Sequence, residues 1–233
     1  MKINKQILIT ASLLFVSILF FGKSGVDLYI QDQFYNFQTH KWILDETLQP
    51  WKFIFYDGIK RALLIVGAIF IIVYIYSMLK NKLKSYQKGL LIVVVSSILV
   101  PGIVGGLKQT TNMPCPHAEI RYNGEMPRTA VWECYTPEYA NKKTRECWPA
   151  GHASGGFALL SLYFLFHSIR NKILALSGAM VIGWSMGIYK MLVGDHFFSH
   201  TVITMILAWL LILIIVKFVN KISRYKQMEE SNV

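Results

Sequence analysis

The chain has 233 residues, of which 54% are hydrophobic, and a formal net charge of +11. A mean hydropathy of +0.40 excludes an ordinary soluble domain and makes the bilayer the expected solvent. The basic excess follows the membrane topology described below, so no nucleic-acid partner is needed to explain it.

Six stretches, about 6–22, 62–79, 89–107, 153–169, 173–189 and 201–216, are apolar and nearly free of charge. Each is about long enough to cross a bilayer with little tilt. The expected fold class is therefore all-α: one membrane domain over residues 1–233, a six-helix bundle with a long outer loop between spans three and four. Lys2 and Lys5 precede the first stretch as they would in a signal peptide. Its apolar core is long, however, and no small-x-small cleavage site precedes Lys23, so it reads as a retained anchor. With the N-terminus inside, the inner segments hold twelve basic residues against Glu229 and Glu230, which is +10 of the formal +11. Cytoplasmic connections carry such an excess. Both termini are thus expected in the cytoplasm, in a bacterial inner membrane, with the longest connection facing the periplasm.

After the first span, residues 24–60 mix Tyr29, Tyr35, Trp42, Trp51, Phe55 and Tyr56 with scattered charges. This reads as an interfacial aromatic belt, with a lipid-headgroup platform as the functional alternative. Asp45, Glu46 and Asp57 offer carboxylates for a cation, but such groups are usually just solvated. The third span contains Pro101, Gly102, Gly105 and Gly106, which permit a kink and close helix packing, and it ends at Lys108. Residues 108–151 show no sustained periodicity, and a connection this long is usually functional. It carries Cys115, Cys134 and Cys147, all on the oxidising side. A Cys134–Cys147 bridge closes a short loop and is the first choice, although spacing leaves the connectivity open. The segment ends in Cys147-Trp148-Pro149-Ala150-Gly151-His152, where backbone N–H groups at a helix start make an anion site.

Lys108, His152, Lys190, His196 and His200 all fall at the outer ends of spans three to six. A single His or Lys at such a level is usually structural; five at one level point to a site. His196 and His200, at i and i+4, share a helix face. Either one is a nucleophile oriented by the other, or both bind zinc with His152 as a third ligand. Two lysines beside the site repel a metal ion but neutralise a phosphate, which favours phosphoryl chemistry without a metal or other cofactor.

These stretches resemble the tripartite signature of the type 2 phosphatidic acid phosphatase superfamily: K-x6-R-P, then P-S-G-H, then S-R-x5-H-x3-D. The chain has Lys108-x6-Cys115-Pro116, then Pro149-Ala150-Gly151-His152, then Tyr189-Lys190-x5-His196-x3-His200, within a phosphatase-like core of about 89–205. The resemblance implies a lipid phosphatase in which His196 attacks phosphorus, His152 protonates the leaving oxygen and His200 orients His196. It also implies that Lys108, Lys190 and the backbone N–H groups of Ala150 and Gly151 bind the phosphate. Cys115, Ala150, Lys190 and His200 depart from the family residues. Arg121 and Arg128 are candidates for the missing guanidinium, and Asp195 either caps the sixth helix or replaces the carboxylate. A catalytically inactive lipid-phosphate-binding protein is the non-enzymatic alternative. The implied partner is a lipid phosphate such as lipid A, undecaprenyl diphosphate or phosphatidylglycerol phosphate.

Overall fold

Long apolar runs without water to solvate their backbone must close their own hydrogen bonds, and a helix does this locally. The computed structural model describes residues 2–45, 47, 50–140 and 147–231, and it is built almost entirely of helices. Helix α1 (Ile3–Lys23) leads into α2 (Val26–Asp32) and a two-stranded antiparallel hairpin of β1 (Tyr35–Asn36) and β2 (Lys41–Trp42). A π-helical turn, Phe53–Asp57, opens α3 (Gly58–Leu79), and α4 (Lys84–Gln109) follows. Short 3-10 turns at Pro116–Ala118 and Ile120–Tyr122 and the four-residue α5 (Pro137–Ala140) lie before α6 (Gly151–Ala158). A 3-10 stretch, Leu159–Phe164, continues α6, and α7 (Ile169–Leu192) and α8 (Phe198–Ser231) complete the chain.

Among the described residues five helices, not six, are long and apolar enough to cross a membrane: Ile3–Lys23, Phe53–Leu79, Lys84–Gln109, Ile169–Leu192 and Phe198–Ser223. The stretch expected as a fourth span, 153–169, is instead the eight-residue α6 and its 3-10 continuation, which ends at Phe164. Its small residues serve packing rather than length. A Cβ on Gly156 would come within 2.7 Å of the Gly183 backbone, so α6 and α7 approach at backbone contact. The apolar residues Leu64, Ile65 and Ile72 on α3 and Leu13 and Phe15 on α1 are exposed on the outside of the bundle, as lipid-facing residues must be.

Helix α8 is the central column. Ala208 and Ile212 on it are fully buried and pack with Val100 of α4 and with Ala153 and Phe157 of α6. The polar residues gather at one end of this column. There Gln31 donates to the Met191 carbonyl, the Leu44 N–H donates to Leu192, and Trp42 lies against Gly194 so closely that any Cβ would strike its ring. Gly194, at φ +80°, makes the turn between α7 and α8 in a conformation that side chains resist. The residues from α2 to β2 therefore brace the loop that joins α7 to α8.

Candidate active site

The end of α7, the loop 193–197 and the start of α8 form one tightly bonded unit. The Lys190 carbonyl accepts from the N–H groups of Asp195 (2.8 Å) and His196 (3.2 Å), folding the loop back onto α7. The first N–H groups of α8 have no partners within the helix. Asp27 of α2 supplies one: its carboxylate accepts the Ser199 N–H at 2.8 Å and the Ser199 hydroxyl at 2.6 Å. Asp27 is itself 1% exposed and lies 3.7 Å from Arg128, whose guanidinium is 3.9 Å from Glu119 and sits over the Phe197 ring.

This scaffold buries His196 and His200 together. Their Nδ1 atoms are 3.4 Å apart, so one ring donates to the other. The His196 ring centroid lies 5.9 Å from that of His152 at the start of α6. His152 Nδ1, His196 Nε2 and His200 Nε2 are all buried without a hydrogen-bond partner among the described residues. Buried polar atoms left unpaired in this way are uncommon. Burial, then the neighbouring His200, His152 and Lys108, hold His196 well below the usual imidazole range. These neighbours and the burial favour the neutral ring over the charged one.

The cations converge on the same place. The Lys108 side chain runs beside Gly151, where a Cβ would lie 3.7 Å from the lysine Cδ. Lys190 Nζ bonds the Asp195 carboxylate at 2.6 Å and lies 4.5 Å from the centroid of the Tyr56 ring. Burial would raise the Asp195 carboxyl, but the bonds from His117 and Lys190 outweigh it and hold the group below the usual carboxylate range. Asp195 therefore serves neither as the cap of α8, which is Asp27, nor as the bonded partner of His196, which is His200.

Three further expectations change. The Ala150 N–H does not face the site: it donates at 2.8 Å to Thr204 Oγ1, which in turn donates to the His200 carbonyl. Arg121 is held away by Asp32, with bonds of 2.9 and 2.6 Å, and of the two arginines only Arg128 lies near the histidines. The disulfide joins Cys115 to Cys147, leaving Cys134 free and exposed. Cys115 stands where a cation was expected, and it ties the end of α4 to the approach to α6 instead. A bond of 2.6 Å from Thr111 Oγ1 to the Trp148 carbonyl reinforces that tie. Among the described residues no group of three or more His, Cys, Asp or Glu is arranged to hold a metal ion. Asp45 caps its own turn through Thr47, and Glu46 lies outside the described residues.

Sequence reasoning did not single out Asp27 or Tyr56. The Tyr56 hydroxyl is 2.8 Å from His152 Nε2, yet 96 positions separate the two residues and no local pattern links them. From His152 an apolar cleft of about 260 Å³ extends between α3, α4 and α6, from Lys60 at the level of the site to Phe70 and Val93 deeper in the bundle. Along α3 that is about 15 Å.

The structure is thus an all-helical membrane-type bundle that gathers a buried imidazole pair, a third histidine at a helix start and two lysines. The model of the PAP2 superfamily matches residues 89–224, more than half of the chain, and the chain belongs to that superfamily. It is 26% identical over 203 residues to the lipid A 4'-phosphatase of Francisella tularensis subsp. novicida (strain U112), covering 81% of this chain and 83% of that protein. No solved structure matches the chain.

Proposed function

We propose that the protein is a membrane lipid phosphatase that removes a phosphate or diphosphate from a lipid at the periplasmic face, through a phosphohistidine on His196. The observation that carries this reading is the position of the His152, His196, His200, Lys108 and Lys190 cluster at the head of an apolar cleft. An amphiphile with an anionic head and an acyl tail matches that change of polarity. The lipid A substrate named for the Francisella relative makes lipid A the first candidate.

In this mechanism Lys108, Lys190 and the Gly151 N–H neutralise the phosphate oxygens, which is the main source of rate in phosphoryl transfer. The neutral His196 attacks phosphorus while His152 protonates the leaving oxygen, and His200 holds the attacking ring. Water then attacks the phosphohistidine, with His152 taking its proton. Six crossings follow if α6 and its 3-10 continuation traverse the bilayer, a length of about 24 Å. Both termini then face the cytoplasm.

The test is phosphate release by purified protein in detergent micelles from lipid A, undecaprenyl diphosphate and phosphatidylglycerol phosphate. Release from at least one by the wild type, abolished in His196→Ala, is expected. A wild type that binds these lipids and releases nothing would mean a binding protein, and an active His196→Ala would remove the phosphohistidine.

A further inference from the structure

Tyr56 lies in the π-helical turn Phe53–Asp57, outside residues 89–224 that match the family. A π-turn inserts a residue into the helical ladder and re-aims the side chains on either side of it, and such turns recur at functional sites. Here the turn brings the Tyr56 hydroxyl to 2.8 Å from His152 Nε2, with the two rings edge to face at 4.8 Å. The same phenol ring carries Lys190 Nζ 4.5 Å from its centroid, so it lies between the histidine and a phosphate-binding cation. His152 Nδ1 has no hydrogen-bond partner among the described residues. The Tyr56 hydroxyl is therefore the polar group that fixes this imidazole.

Resting on the reading above, in which His152 is the general acid, the geometry points to Tyr56 as its positioning residue. The phenol oxygen accepts the Nε2–H of His152, and the bond at one ring nitrogen decides which proton the other can move. In the first step the His196 nitrogen–phosphorus bond forms and the phosphorus–oxygen ester bond breaks. Its electron pair stays on the leaving oxygen, which takes the Nδ1 proton of the His152 imidazolium. Burial and the lysines by themselves disfavour that form, and the negative charge of the bound phosphate restores it. The neutral ring that remains keeps its proton on Nε2, held by Tyr56, and presents the Nδ1 lone pair. That lone pair accepts the proton of the water that cleaves the phosphohistidine, and the imidazolium is restored.

The experiment compares two substrates in purified protein: phosphatidic acid in micelles, whose leaving alcohol needs a proton, and p-nitrophenyl phosphate, whose leaving group departs without one. Tyr56→Phe is expected to lower kcat on phosphatidic acid by about ten- to a hundredfold, within the range of a general-acid contribution. It should leave the first-turnover release of p-nitrophenol within about twofold, because forming the phosphohistidine from this substrate needs no acid. Adding Tyr56→Phe to His152→Ala should cost nothing more, as expected of two residues acting as one unit. Equal losses on both substrates, no loss on either, or a further loss in the double variant would overturn the assignment. A wild type that releases phosphate from neither of these nor from lipid A, undecaprenyl diphosphate or phosphatidylglycerol phosphate overturns the phosphatase reading itself, and that result needs no variant.

Discussion

The Asp27 carboxylate of α2 accepts both the N–H and the hydroxyl of Ser199, the residue immediately before His200. A residue outside the family core thus caps the helix that carries His200 and begins just after His196. Asp27→Ala leaves a buried N–H unpaired and removes one of the two carboxylates beside Arg128. Loss of a helix cap costs about 1–2 kcal/mol. We expect a lower thermal midpoint in detergent together with a reduced kcat, and a smaller effect for Asp27→Asn, which keeps one acceptor oxygen. Unchanged turnover in Asp27→Ala would mean that the cap holds the helix but not the site.

Lys190 and Asp195 are a largely buried pair at 2.6 Å, with the lysine side chain 3% and the aspartate side chain 21% exposed. Removing one partner of such a pair strands a charge and costs about 3 kcal/mol. Lys190→Ala should therefore destabilise the protein more than the double variant Lys190→Ala/Asp195→Asn, which removes both charges. Chemical denaturation of the two proteins in one detergent gives the comparison. The reverse order would show that the two charges are solvated independently.

Glu119 predicts how stability varies with pH. Burial first, against the pull of Arg128, raises its carboxyl from 4.5 to about 7. A carboxyl raised by folding is neutral in the folded chain while the unfolded chain is already ionised. Stability therefore falls as pH rises from 4.5 to about 7 and then levels off, by at most about 3 kcal/mol. Glu119→Gln should remove this slope, so that the variant exceeds wild type in thermal midpoint at pH 8 and approaches it near pH 4.5. A variant that keeps the wild-type slope would assign it to another group.

The Cys115–Cys147 bridge spans 32 residues. Closing such a loop restricts the unfolded chain by about 3–4 kcal/mol. Cys115→Ser or Cys147→Ser should lower the thermal midpoint and slow phosphate release, because Pro149 to His152 lose their tie to α4. Cys134→Ser should change neither. Thiol labelling of denatured, unreduced wild type should count one free cysteine, and a count of three would rule the bridge out.

Gly67 lines the apolar cleft, and a Cβ there would have nothing within 4 Å. Gly67→Leu therefore has open space at its first carbon and narrows the cleft. It should raise KM for long-chain lipid phosphates about tenfold while leaving p-nitrophenyl phosphate unchanged, since one leucine side chain occupies the volume of several methylenes. Equal kinetics on both substrates would separate the cleft from lipid binding.

The helical runs were legible because a bilayer demands about twenty apolar residues in a row, and α1, α3, α4, α7 and α8 meet that demand. Residues 153–169 met it in composition, and they fold as the short α6 and its 3-10 continuation, with Gly156 packed at backbone contact on α7. Motif spacing also marked Lys108, His152, Lys190, His196 and His200, because each stands at the end of an apolar run, where a polar side chain is conspicuous. The rest depended on contacts between distant segments. Cys115 found Cys147 rather than the nearer pairing, the Ala150 N–H went to Thr204, and Arg121 went to Asp32. Asp27 and Tyr56 carried no signal of their own, one among ordinary charges and the other within an aromatic belt. By itself the sequence determined the five long apolar helices and the common level of Lys108, His152, Lys190, His196 and His200, because these follow from local hydrophobicity and spacing. Which groups pair within that site was decided only by the tertiary structure, because a buried donor or acceptor bonds whatever the packed helices bring within about 3 Å.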